Sequence, residues 1–533
     1  MKDWITDFKI SFKEISTPDA IPAHYRKLVF WCIVVMILAI RFLTIQTPAL
    51  DRTVWKEIDY ISISKNYLAN GFNFFQPTIS WPAEPPNVTA MELPVIPYLA
   101  AILYKIFGFN VWTVRLLPII FYLLIIYYVY KLTYEYFGPV IGLIAAFISG
   151  ILPLNNSFGN VLFSDPAMVA FSIFTIFYFS QWMKYGKKKD RILATLGFSL
   201  AVALKIEPLY LLLPLSWLFF KKYRLDIKKY KVFISFILIS LILPVCWYLY
   251  AYFLTNHSID VFGIFKGHNK LQTLTMLSNS IWYFKMKWNL SSLLGHWVGL
   301  ILIFSGMITA LLLRKGSLFF FYLAAVFIYF ILVAEGNIDT SYRQFCIIPP
   351  ASAFMAIGST SITLLLFKTF KRYFKTFYFS PVVILWVALL IPLLIPIHKS
   401  HYIFLKDINQ PVEQDQWDYA QIIKQYASPK SKIITTGTYT MHVGGNDLSP
   451  VLYYYSGLKG WTLQKKNRNL NNVNILINKG ADLFAAIYIQ REPDMIELIN
   501  LLKRDHVVLF EDQKGGFILL SLKNKSISKN GKD

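Results

Sequence analysis

W-K-E-I-D-Y-I-S-I-S-K-N-Y-L over residues 55–68, a polar loop, and then M-E-L-P-V-I-P-Y-L-A-A-I-L-Y-K-I-F-G over 91–108 decide how this chain is read. Both segments are amphipathic, and both are shorter than the roughly 20 apolar residues that cross a bilayer. Each begins near an acid, Asp59 or Glu92, placed where the chain should lie along a membrane surface. Long apolar runs flank the pair.

Composition supports that setting. Of 533 residues 56% are hydrophobic, 17% aromatic and 16% charged, the make-up of a polytopic membrane protein. The net charge of +23 does not point to nucleic acid, because the Lys and Arg gather in short loops between apolar spans. Cys32, Cys246 and Cys346 each lie inside an apolar run and read as buried packing residues, with no disulfide or thiolate metal site. The polar N-terminal stretch lacks a small-residue cleavage site and reads as retained.

Eleven stretches are expected to be membrane helices: 28–48, 111–130, 139–154, 167–183, 193–204, 209–220, 232–254, 293–313, 318–333, 344–366 and 381–397. With a cytoplasmic N-terminus the inner loops hold 23 Lys and Arg against ten outside, leaving aside the region after the last span. The positive-inside rule then puts the Asp59/Glu92 loop, the loop from Thr255 and everything after 397 outside the cytoplasm. The expected fold is an α-helical polytopic membrane domain of about 11 transmembrane helices, residues 1–397, with a small soluble α/β domain, residues 398–533. In the latter K-I-I-T-T-G, V-L-Y-Y-Y-S, A-A-I-Y-I, H-V-V-L-F and G-F-I-L-L-S read as strands, and 415–426 and 493–503 as helices. No phosphate-cradling glycine loop and no internal repeat is present.

Several outer residues are candidates for chemistry, each with a plainer alternative. Asp59 opens a helical pattern and fits either a reactive carboxylate or a helix cap. Glu92 stands in an apolar stretch, where desolvation would raise its pKa and suit it to accept a proton. Asp165, before Pro166, fits an N-cap. Arg115, Lys205 and Arg343 sit beside or inside apolar runs and need anions: a lipid phosphate, or, for Arg115 and Lys205, pairing with Asp59, Asp165 or Glu207. Lys205 and Glu207 are too close along a helix to face each other, so a more distant partner is expected. His268 lies in a basic, aromatic loop from Thr255 to Trp288 that would cover a site, although an isolated histidine is more often structural. No HExxH or paired-cysteine spacing marks a metal site, and no G-x-S-x-G marks a hydrolase. The carboxylates leave room for a divalent cation shared with a substrate phosphate, with Asp59 and Glu92 as its ligands.

The order of these pieces resembles the GT-C membrane glycosyltransferases, and most closely glycosyltransferase family 39, the protein O-mannosyltransferases and aminoarabinose transferases. The resemblance rests on E-L-P-V before K-I-F-G-F-N-V-W-T-V-R-L-L-P, on F-S-D-P-A-M-V-A-F, A-L-K-I-E-P-L-Y-L-L-L-P and Y-R-Q-F-C-I-I-P-P-A-S-A-F, and on S-P-V-L-Y-Y-Y-S-G-L-K-G-W in the tail. It implies transfer of a sugar from a polyprenyl-phosphate carrier to a lipid, glycan or protein acceptor outside the cytoplasmic membrane, with inversion. It places the family's catalytic Asp on Asp59, its second-loop acid on Glu92 and its second-span Arg on Arg115. Two positions depart from the pattern: Tyr60 follows Asp59 where many members have Glu, and Leu93 stands where aminoarabinose transferases have Lys. Lys205 or Arg343 would then supply the charge for the lipid phosphate. The alternatives from other classes are a polyprenyl-lipid flippase or transporter and a structural membrane component.

Overall fold

A computed structural model describes residues 2–46, 54–84, 87–153, 159–224, 226–257, 262, 264–265, 273–373, 380–393, 414–437, 450–488 and 492–523. The expected boundary at 397/398 and the loop residues Lys266, His268 and Lys270 lie outside these.

Where described, each of the eleven apolar stretches falls largely on a helix. Among the described residues five helices are long and apolar enough to cross a membrane: Ala23–Phe42, Val111–Phe137, Ser164–Tyr185, Ile227–His257 and Ser341–Phe370. Ser280–Leu293 and His296–Leu312 form a pair bent by 88° that counts as a sixth. Shorter apolar helices accompany them, among them Pro139–Ile151 and Ser317–Leu332. Every residue of Pro139–Ile151 is buried, so protein rather than lipid surrounds this short helix, as its length requires. The protein is thus a multi-pass membrane protein. Cys346 is buried as expected, but Cys32 and Cys246 lie on exposed helix surfaces. An apolar run that faces lipid carries its cysteines outward, so burial does not follow from the run alone.

The chain divides into two compact units. The first comprises residues 1–47, 115–249 and 269–406 and is helical. The helices His296–Leu312 and Ile348–Tyr373 approach closely through glycines. A Cβ added to Gly306 would lie 1.9 Å from the Phe354 carbonyl oxygen, and one added to Gly358 would lie 2.0 Å from that of Leu302. Membrane helices associate by such backbone-to-backbone packing, because lipid offers no hydrophobic gain.

The second unit comprises residues 48–114, 250–268 and 407–533. It holds the helices Val54–Ala69 and Val95–Phe107 and a mixed sheet of β1 (Lys432–Gly437), β2 (Lys459–Thr462), β3 (Leu483–Ile487), β4 (Val507–Asp512) and β5 (Phe517–Ser521). The order is β2-β1-β3-β5-β4, with β1 parallel to β2 and β3, and β5 antiparallel to β3 and β4. Alternate strand residues feed two cores: Ile434, Phe484, Ile518 and Leu520 meet the helix Pro493–Asp505, while Ile433, Leu483 and Leu519 meet Tyr419, Ile423 and Leu452. The buried Arg468 ties the end of β1 to the start of the helix Pro493–Asp505, donating to Thr436 Oγ1 and the Gly437 carbonyl and pairing with Glu492 and Asp494.

Two readings of this sheet need correction. V-L-Y-Y-Y-S is a helix, Val451–Ser456, not a strand. Pro450 precedes it and Gly457, at φ +76°, ends it in the left-handed conformation, and these punctuation residues override the aromatic β preference. The short strand β2 and the helix Leu470–Asn478 were not expected.

The first loop is built into this sheet domain. Asn66 Nδ2 donates to the Thr78 carbonyl at 2.8 Å and Asn70 Nδ2 to Thr78 Oγ1 at 3.1 Å. Just beyond, the Gly460 N–H donates to the Ser80 carbonyl at 3.3 Å, and Glu84 pairs with Lys479 at 2.5 Å. Trp81 packs on one core of the sheet and Ala83 on the other.

Candidate active site

Asp59 lies in the second turn of Val54–Ala69, so it is not the cap of that helix. Ile58, Tyr60, Ile61 and Ile63 around it are fully buried, and Asp59 itself is 9% exposed. With its carboxyl taken out of water, burial pushes its pKa up to about 8. Glu92 sits two residues before Pro94, the N-cap of Val95–Phe107, and Lys56 Nζ stands 3.9 Å from its Oε1. The same ammonium lies 5.8 Å from the centre of the Tyr60 ring. Burial thus lifts the proton affinity of Asp59, and Glu92 has a cation beside it. Lys56 was not singled out from the sequence; its position one turn before Asp59 on a helical face was the available signal.

The first unit gathers a second set. Asp165 occupies the second position of Ser164–Tyr185, whose N-cap Phe163 makes no side-chain cap bond. Lys205 Nζ donates to Asp165 Oδ1 at 2.6 Å and stands 3.7 Å from Glu207 Oε1. Arg343 Nη1 donates to that same Glu207 oxygen at 3.1 Å, and its Nε donates to Thr340 Oγ1 at 2.9 Å. The Tyr342 ring lies 5.4 Å from the Lys205 ammonium and meets Phe163 edge-on. Asp165, Lys205 and Arg343 thus come together, joined by Glu207, in a quartet of two cations and two carboxylates.

The expectation that Lys205 and Glu207 cannot face each other fails here. It assumed continuous helix, whereas Lys188–Leu204 ends at Lys205, which is extended at φ −160°, and Glu207 starts a 3-10 turn. The bend brings the two side chains to one side. The more distant partner, Asp165, is present as expected.

Arg115 goes elsewhere within the same unit. Its Nη1 donates to the Thr44 carbonyl at 3.1 Å, next to Asn160, which donates to Thr44 Oγ1 and the Arg41 carbonyl. His268 lies outside the described residues, while His257 Nδ1 meets the Phe253 carbonyl of its own helix, 3.0 Å away.

Among the described residues no three His, Cys, Asp or Glu side chains gather to hold a metal. Glu92 is beside Lys56, and Asp165 and Glu207 are engaged by Lys205 and Arg343.

Residues 86–250 match the profile of a family described as dolichyl-phosphate-mannose-protein mannosyltransferase. No curated protein matches the chain in sequence. Among solved structures the chain is similar to ArnT from Cupriavidus metallidurans bound to undecaprenyl phosphate, with TM-score 0.64 and 12% identity over 94% of this chain and 98% of that one. It is also similar to the archaeal oligosaccharyltransferase AglB from Archaeoglobus fulgidus in complex with an inhibitory peptide and a dolichol-phosphate, with TM-score 0.53 and 14% identity over 92% and 74%. A further structure of the Archaeoglobus fulgidus oligosaccharyltransferase is a complex with Zn and sulfate, with TM-score 0.50 and 14% identity over 92% and 72%. At such identity the likeness is one of fold: the chain has the fold of the GT-C membrane glycosyltransferases, and its segment 86–250 matches the mannosyltransferase profile.

Proposed function

We propose that this protein is a membrane glycosyltransferase that moves a sugar from a polyprenyl-phosphate carrier to an acceptor on the outer side of the cytoplasmic membrane. The observation that carries the reading is Asp59, a buried carboxyl with a pKa lifted to about 8. A general base works best when its pKa lies near the operating pH. Two of the similar folds were solved with polyprenyl-type phosphates, undecaprenyl phosphate in ArnT and dolichol-phosphate in AglB. The excess of Lys and Arg in the inner loops supports a cytoplasmic N-terminus and an outer C-terminal domain.

In this reading the acceptor oxygen attacks the anomeric carbon and its proton passes to Asp59. The bond from that carbon to the phosphate oxygen breaks, and the electron pair leaves with the polyprenyl phosphate. One displacement inverts the anomeric configuration. The cations that this chain offers the leaving phosphate are Lys205 and Arg343, together with Arg115, and His268 of the basic loop from Thr255 is assigned to substrate binding. Asp165 orients Lys205 through its 2.6 Å bond. Glu92 holds Lys56 and is the second acid of the assignment, the alternative proton acceptor. The sugar donated is a hexose or a pentose.

The test is Asp59→Asn in the full-length protein. Sugar transfer and release of polyprenyl phosphate should be lost while helix content and membrane insertion stay as in the wild type. Comparing envelope glycans, lipids and glycoproteins by mass spectrometry from cells with and without the protein identifies the product. Wild-type transfer by the variant would sink the reading.

A further inference from the structure

We propose that the C-terminal α/β domain positions Asp59, gripping the helix that carries it. This rests on the assignment of Asp59 made above. The first grip is Lys65 on the Val54–Ala69 helix. Its ammonium lies 4.1 Å from the centre of the Tyr454 ring and 5.7 Å from that of Phe109. Tyr454 belongs to the helix Val451–Ser456, whose Leu452 and Tyr453 are anchored in the core of the sheet domain. Burial, aided by the charge of Lys424, lowers the Lys65 pKa, so the ammonium has given up water for these rings.

The second grip is the loop already described. Asn66 and Asn70, from the end of the same helix, hold Thr78. A few residues on, Ser80, Trp81, Ala83 and Glu84 are fixed to the sheet domain by the Gly460 N–H, by both cores and by Lys479. The Lys65 grip acts on a different side of the helix from Asp59. Six residues separate them, which is about 9 Å along the axis and roughly 240° around it.

Such a hold matters because transfer needs the base and the attacking oxygen in register. Misplacement by about 1 Å costs on the order of a hundredfold in rate. Lys65, Tyr454 and Trp81 are positioning residues on this account: they touch neither donor nor acceptor.

The experiment uses the full-length protein. Tyr454→Ala should lower kcat for transfer ten- to a hundredfold at unchanged KM for the polyprenyl-phosphate sugar. Hydrogen exchange in the 54–69 helix should quicken. Tyr454→Phe keeps the ring and should stay within about twofold of wild type, because the cation meets the ring face rather than the hydroxyl. Lys65→Met keeps the alkyl stem and should reproduce the Ala variant; it decides the matter if Tyr454→Ala does not assemble. Wild-type kcat in both Tyr454→Ala and Lys65→Met overturns the proposal, and so does equal loss in the Ala and Phe variants. If those kcat values are unchanged while Asp59→Asn abolishes transfer, the positioning role alone has failed. Transfer by Asp59→Asn removes the reading beneath it.

Discussion

The Lys205 ammonium lies 2.6 Å from Asp165 Oδ1, with the two side chains 3% and 0% exposed. A cation and an anion this far from water are worth little as a matched pair and a great deal when one is removed. The pair connects the start of one membrane helix to the end of the next, so its loss is felt by the bundle as well as by any phosphate.

Asp165→Asn is expected to destabilise the protein by about 3–5 kcal/mol, since Lys205 would keep only Glu207, 3.7 Å away. The double change Asp165→Leu with Lys205→Met should cost far less. Unfolding of the detergent-solubilised protein measures both. Equal losses in the single and the double variants would mean that an uncompensated charge is not the cause.

If Lys205 and Arg343 receive the substrate phosphate as proposed, Glu207, which binds both, competes with it. Glu207→Gln should lower the melting temperature of the free protein. Added polyprenyl phosphate should then raise it by more than it does in the wild type, because ligand stabilisation grows with affinity. Thermal shift titrations read this directly, and identical increments in the two proteins would count against competition.

The pH dependence follows from Asp59. In its proposed role as base Asp59 must be ionised, so kcat/KM is expected to rise with pH through a midpoint near 8, and that limb should vanish with Asp59→Asn. Stability should move the other way. The native protein holds this proton after the unfolded chain has released it, so the contribution is full at acid pH and declines between about pH 4 and pH 8. An activity limb unchanged in the Asn variant would assign the titration to another group.

Gly306→Val is expected to spread the helices His296–Leu312 and Ile348–Tyr373, since even a Cβ at this position meets a backbone oxygen at 1.9 Å. The loss should reach several kcal/mol, in the range of the more severe core substitutions. Faster proteolysis within these helices and a lowered unfolding midpoint would both report it. A variant as resistant as wild type would show that the crossing has slack.

The helices were legible because lipid and a protein interior demand the same thing of a segment, unbroken apolarity, and the eleven stretches have it. Of the acids, Glu92 stands out because a charge in an apolar stretch is costly, whereas Asp59 and Asp165 also fit helix caps in the sequence, and both lie inside their helices instead. Less could be read where local rules are overridden by the chain's path. The 3.6-residue period denies a meeting of Lys205 and Glu207, yet a helix end between them permits it. Val451–Ser456 carries β-forming residues, but the proline before it and the glycine after it close a single helical segment. Lys56 beside Glu92, Lys65 under Tyr454 and Arg468 at the end of β1 depend on which distant segments meet, and no local pattern encodes that.

The contact between Glu84 and Lys479 spans 395 residues of sequence. A ribosome adding about 5–20 residues per second needs roughly 20–80 s to make the second partner after the first. Through that interval the nascent first loop has no sheet to rest on, and Trp81 has no core to enter. Maturation of the Asp59 helix therefore waits for nearly the whole polypeptide, and a chain stalled before residue 479 would be left protease-sensitive at 78–84. Exchange of the tail between relatives faces the same constraint: a transplanted C-terminal domain has to bring its own first loop with it.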